Sequence, residues 1–202
     1  AGGRWRAFLA AGASAAGLLA LAWLAFGSAT MLGYTDSWRA IAALLRGGDS
    51  AFFLRMATLY AQVRIYGGES AATAVAGLLA LAMIALVMLG WRRMGQDAMA
   101  SGALMLAATA LASPYLFNYD LPFLVLPALW LVREGLREGF RPWEKIALVA
   151  LWFAPYATRA LALPLGLNLM PLASALLLWL VWSRGARLPG EADGQQSIAI
   201  GG

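Results

Sequence analysis

From Ala7 to Ala29, and again from Ala71 to Gly90, the chain runs without one charged side chain. A helix of about 20 apolar residues crosses the roughly 30 Å hydrocarbon layer of a bilayer. In lipid every backbone N–H and C=O must be paired internally, which leaves only helices or closed barrels. Continuous apolar runs of this length select the helix. Composition agrees: 62% of the residues are hydrophobic and 12% charged, against about half and about a quarter in soluble domains. The predicted fold class is therefore all-α, a polytopic transmembrane helical bundle.

Six spans are expected, at 7–29, 71–90, 98–113, 115–132, 146–163 and 165–182, within one bundle over 1–188. Arg4-Trp5-Arg6 ahead of the first run has the form of a signal-peptide start, but 7–29 is long enough to be a true span. The polar, Gly-rich stretch 189–202 reads as a disordered tail. Residues 30–70 are too patterned for a plain loop. Trp38, Ile41, Leu44 and Leu45 recur at helical spacing, and Asp49-Ser50 are good N-cap residues. Beyond them, Phe52, Met56, Leu59, Tyr60 and Val63 share one face, with Arg55, Thr58 and Gln62 on another. This predicts two amphipathic helices over 37–66 lying at the membrane interface, either capping the bundle or covering a substrate.

The basic residues set the orientation. Arg4, Arg6, Arg92, Arg93, Arg133, Arg137, Arg141, Lys145, Arg184 and Arg187 fall on one side, and Arg39, Arg46, Arg55, Arg64 and Arg159 on the other. Both termini are then expected in the cytoplasm of a plasma-membrane protein. The segments 30–70, 114–120 and 156–168 face outward. The net charge of +5 follows from this rule and from anionic lipid, so membrane lipid rather than nucleic acid is the expected partner. Fourteen Arg against one Lys, with abundant Ala and Gly, point to a prokaryotic source of high GC content.

The chain has no Cys and no His. That removes an imidazole base, a thiol nucleophile and a His/Cys metal site. No metal site and no cofactor are expected. Chemistry falls to carboxylates, Tyr, Arg, Lys or backbone groups.

The stretch Ser113-Pro114-Tyr115-Leu116-Phe117-Asn118-Tyr119-Asp120-Leu121-Pro122 carries the most information. The spans on either side are short, which draws this connection below the outer surface. Irregular backbone at that depth needs protein or a water-filled cavity around it, so an outward-facing vestibule is expected. Asp120, an ionisable group at membrane depth, is a candidate substrate contact. It also stands where a helix N-cap would, just before Pro122, and the two roles can coexist. Tyr115, Phe117, Asn118 and Tyr119 offer hydroxyl, amide and ring surface that suit a sugar or an interfacial aromatic belt. Arg55, Arg64 and Arg159 lie on the same outer side; guanidinium is well matched to phosphate, and each also suits an ordinary surface ion pair. The charged run Arg133-Glu134, Arg137-Glu138 and Arg141 to Lys145 reads as a solvated loop.

Ser113 to Leu121 resembles the SP-x-x-x-x-YDL segment of glycosyltransferase family 87. Arg55-Met56-Ala57-Thr58-Leu59-Tyr60-Ala61-Gln62-Val63-Arg64-Ile65-Tyr66-Gly67 and the opening Gly3-Arg4-Trp5-Arg6-Ala7 resemble further parts of it. The resemblance implies a GT-C-like bundle that takes a sugar, often mannose, from a polyprenyl-phosphate donor on the outer face of the plasma membrane. The acceptor would be a lipid or glycan. It also implies a catalytic Asp in a first outer loop, which this sequence does not contain. The chain therefore reads as the C-terminal half of such an enzyme, in keeping with its start at Ala1, with no catalytic residue of its own. A donor- or acceptor-binding role passes to Tyr115, Asn118, Tyr119 and Asp120, and more weakly to Arg64. Two other classes compete: a transporter or lipid flippase, and a non-catalytic membrane assembly subunit.

Overall fold

The structure, a computed structural model, describes residues 5–47, 49–94 and 97–185. Arg4, Arg187 and the tail expected at 189–202 lie outside the described residues. Among those described, every regular element is a helix and no β-strand occurs.

The chain divides into two units, Ala1–Asp49 and Ser50–Gly202. The first holds α1, Trp5–Arg46, which breaks at Gly27 (φ 75°, ψ 164°). That positive φ is open to glycine without a Cβ penalty. The apolar first piece carries the expected span, and the second carries the helix expected around Trp38. No residue of α1 is buried within the chain. Leu24, Phe26 and Leu32 all point outward.

The second unit contains α2 (Ser50–Phe53), α3 (Leu59–Met94), α4 (Ala98–Ala112), a 3-10 helix (Asn118–Leu124), α5 (Val125–Glu138), α6 (Glu144–Leu165) and α7 (Met170–Gly185). Of all the helices, α1, α3 and α6 are long and apolar enough to cross a membrane. The 15, 14 and 16 residues of α4, α5 and α7 rise only about 21–24 Å, short of a bilayer core. The stretch 115–132 does not start as an α-helix. Pro114 and Pro122 lack an N–H and fix their φ, so the chain runs extended and then tightens into 3-10 geometry before α5 begins.

Alanines stand beside large residues such as Leu104, Leu131 and Leu177 in the buried core. The central helix α4 packs on α3, α5 and α7 through Ala100, Ala103, Leu104, Ala107 and Ala108. Large residues face out along regular stripes: Leu78, Leu81, Ile84 and Met88 on α3, and Val149, Trp152 and Phe153 on α6. Small residues let helices approach closely where no hydrophobic force drives them together, and the bulky ones meet lipid. The tightest approach is at Gly90, where an added Cβ would sit 2.1 Å from Leu104 Cδ2.

Successive helices α3 to α7 are antiparallel, so the second unit has two polar ends. At one, Asp97 Oδ1 caps α4 by accepting from the N–H groups of Met99 and Ala100, at 2.9 and 3.0 Å. Beside it the charged run expected to be solvated is instead partly buried. Arg184 of α7 donates to both carboxylate oxygens of Glu144 and to the Gly139 carbonyl. Arg184 and Glu144 are only 6% and 2% exposed. Glu134, also buried, pairs with Arg137 at 2.8 Å. The counter-charge for Glu144 comes from a helix 40 positions away, which no local pattern announces.

The second amphipathic helix expected in 37–66 is also corrected. It is two pieces, α2 and the start of α3, with irregular chain between. Met56, Ala57 and Thr58 are buried in protein rather than laid on a lipid surface. Thr58 leaves the polar stripe to cap α3, accepting from the Ala61 N–H at 3.2 Å.

Gly90→Ala is expected to destabilise the bundle by about 1–3 kcal/mol through overpacking. Gly77→Ala, with nothing within 4 Å of the new Cβ, is expected to be neutral. Thermal unfolding in detergent compares the two, and equal Tm values would contradict the packing described at Gly90.

Candidate functional site

The other polar end is built around the backbone of Met56 and Ala57. Met56 forms an antiparallel bridge with Phe117. The Ala57 N–H donates to the Leu116 carbonyl at 2.7 Å, and the Thr58 hydroxyl to the Pro114 carbonyl at 3.1 Å. These bonds satisfy the extended chain of 114–117, as irregular backbone away from water requires.

They also require a bent α3. Antiparallel to α3, the 15 residues of α4 rise about 22 Å, level with residue 80 or so. On a straight α3, Thr58 would stand about 33 Å beyond that level. The break at Gly68 (φ 81°, ψ 180°) lets residues 59–67 lean over the bundle end instead. Gly68 suits the break because a side chain is strained at that φ.

From the far side, the loop after α6 closes on the same segment. Gly166 ends α6 with φ 67° and its carbonyl accepts from Gln62 Nε2 at 3.1 Å and the Tyr66 hydroxyl at 2.9 Å. The Asn168 N–H donates to Gln62 Oε1 at 2.7 Å. Asn168 Nδ2 donates to the Met56 carbonyl, and its Oδ1 accepts from the Met170 N–H at the start of α7, at 2.9 Å.

The three segments enclose a cleft of about 630 Å³ lined by Phe52, Arg55, Phe117, Asn118, Tyr119, Pro155, Tyr156 and Arg159. Its volume matches a small-ligand site. Arg55 and Arg159 are exposed, and among the described residues neither has an ion-pair partner. The rings of Phe117 and Tyr119 stack at 5.3 Å and 5°, while Phe52 meets Phe117 edge-on at 5.7 Å. Tyr119 and Tyr156 are 75% and 78% exposed. Asn118 Oδ1 is shielded from solvent and accepts no hydrogen bond.

Four of the seven residues singled out by sequence, Arg55, Asn118, Tyr119 and Arg159, thus share one cleft. Asp120 is not on its wall. It is the third residue of the 3-10 helix, not the N-cap expected from sequence: Phe117 holds that position, and Asp120 Oδ2 reaches back to accept from the Phe117 N–H at 2.9 Å. Tyr115 packs against Tyr60 at 5.8 Å. Arg64 lies over the Phe53 ring at 5.6 Å and pairs with Glu69 at 3.4 Å. Phe117, read from sequence as aromatic surface beside Asn118 and Tyr119, lines the cleft too, whereas Phe52, Pro155 and Tyr156 were missed. The Tyr156/Arg159 spacing of one helical turn was the available signal for the last of these.

Glycosyltransferase family 87 matches the chain over residues 1–114, more than half its length. The chain belongs to glycosyltransferase family 87. With its long apolar helices, that makes it a membrane protein of glycosyltransferase type. The matched stretch includes Phe52 and Arg55 and stops at Pro114, so the other cleft residues lie beyond it. No curated protein and no solved structure matches the chain.

Asp120→Ala removes the cap of the 3-10 helix, with an expected loss of about 1 kcal/mol in local stability. Amide exchange at Phe117 is expected to quicken while exchange in α4 stays unchanged. Unaltered protection at Phe117 would show that the cap contributes nothing.

Proposed function

We propose that the chain forms part of a family 87 hexosyltransferase whose cleft receives a polyprenyl-phosphate hexose, mannose in the family pattern. The acceptor is a lipid or glycan at the outer face of the plasma membrane. The observation that carries this reading is the pair of exposed guanidiniums, Arg55 and Arg159, without an ion-pair partner among the described residues and lining one aromatic cleft. Two arginines neutralise a phosphate diester and grip its oxygens with directed N–H groups. Tyr119 and Tyr156 offer flat apolar faces to a sugar ring. The unfilled acceptor Asn118 Oδ1 suits a sugar hydroxyl, since a shielded acceptor gains most from a donor that arrives with the ligand.

In this reading Asp120 shapes the Phe117–Asn118–Tyr119 turn, and Tyr115 and Arg64 brace its surroundings. Transfer also needs a carboxylate to activate the acceptor hydroxyl, and we assign none in this chain. The lower counts of basic residues flanking the cleft end favour an outward-facing cleft.

The test uses the full-length enzyme that carries this chain, assayed with a polyprenyl-phosphate mannose. Arg55→Ala and Arg159→Ala are each expected to raise the donor KM about tenfold or more, as loss of hydrogen bonds to a charged group does. The corresponding Lys variants should recover part of that loss. Unchanged donor KM in both Ala variants removes the cleft from donor binding. Solute uptake into proteoliposomes without any glycosyl transfer would select the transporter reading instead.

A further inference from the structure

The three walls of the cleft come from distant parts of the chain; apolar contacts among Ala57, Leu121, Met170 and Ala154 bring them together, and directed hydrogen bonds fix their register. Arg55 rides on the irregular segment between α2 and α3. Arg159 rides on α6, about two turns before that helix ends at Gly166. Among the described residues, the one side chain that bonds directly to both the Met56 backbone and the start of α7 is Asn168. Its own N–H meets Gln62, whose amide returns to Gly166. Asn168 is 7% exposed, and its two side-chain bonds form away from solvent, where an unmade bond is expensive.

We infer that Asn168 is a positioning residue for the cleft: it clamps the Arg55 wall to the Arg159 wall and so sets the separation of the two guanidiniums. The clamp has three parts. Asn168 Nδ2 holds the Met56 carbonyl, one residue from Arg55. Gln62 and Tyr66 hold Gly166, at the end of the helix that carries Arg159. Met56 is in turn bridged to Phe117, which places the aromatic floor in the same register. Asn168 touches neither guanidinium and does not line the cleft. The clamp is a matter of geometry; its effect on catalysis rests on the donor-binding reading above.

The two Asn168 functions can be separated. The Asn168 bond to the Met170 N–H is an i→i+2 turn that serine also forms, though more weakly, so Asn168→Ser keeps an acceptor at the start of α7, whose first carbonyl bonds come from Leu169. The serine hydroxyl is too short to replace Nδ2 at the Met56 carbonyl. The chain contains no Cys, so spin labels attach cleanly at Ala51→Cys and Ala160→Cys, both exposed, in full-length enzyme stripped of any other cysteines. Their distance distribution is measured with Asn168 and with Asn168→Ser, and donor kinetics are measured in the unlabelled proteins. Gly90→Ala serves as a control that loosens the bundle away from the cleft.

The expected result is a distribution clearly broadened or shifted by Asn168→Ser but not by Gly90→Ala. With it, donor KM should rise about tenfold while kcat changes less than about twofold. A merely structural role lowers the amount of active enzyme and leaves KM alone. An unchanged distance distribution in Asn168→Ser overturns the inference, whatever the kinetics. A changed distribution with unchanged KM upholds the clamp and overturns the donor-binding reading of the cleft.

Discussion

The cleft end of the second unit depends on the peptide groups of Met56 and Ala57. On one side they pair with Leu116 and Phe117. On the other, the Met56 carbonyl is held by Asn168. Those few bonds join three segments far apart in sequence: two deliver residues to the cleft, and the third directly follows α6, which supplies Pro155, Tyr156 and Arg159. Irregular backbone buried away from water must find such partners or unravel. The same requirement explains the bend at Gly68, without which Thr58 could not reach Pro114.

The two ends of this unit treat charge in opposite ways. Around Arg184 and Glu144, carboxylates and guanidiniums are buried and mutually neutralised. Removing one partner there would leave an uncompensated charge, the costly case for a buried pair. In the cleft, Arg55 and Arg159 stay exposed and unpaired among the described residues. That contrast is what supports the proposal of a donor phosphate between the two arginines. Between the ends, the alanine-rich α4 permits close packing, and the outward stripes of Leu, Ile, Trp and Phe meet lipid.

Much of this was legible in the chain itself. The apolar runs gave α3, α4 and α6 to within a few residues at most of their ends, and Asp97, though not singled out, is an ordinary N-cap. The charge count grouped 30–70, 114–120 and 156–168 on one side, and parts of all three do converge. The short spans around Pro114 foretold a connection held by protein. The sequence was misleading where polar residues served distant partners. Thr58 and Gln62 read as a solvent stripe because their partners, Pro114 and Gly166, lie 56 and 104 positions away. Glu144 read as solvated because Arg184 cannot be seen from its neighbours.

By itself the sequence determined the solvent of this protein, its helical class, its family and the residue types open to its chemistry. Those follow from hydropathy, from the absence of His and Cys, and from short motifs, all properties of local strings. Only tertiary structure decided which of the candidate residues face one another. It placed Arg55, Asn118, Tyr119 and Arg159 in one cleft, turned Asp120 inward as a cap, and gave Asn168 its central place. Hydrogen bonds between segments a hundred residues apart depend on where helices end and bend, and that is settled by packing and backbone satisfaction rather than by any local pattern.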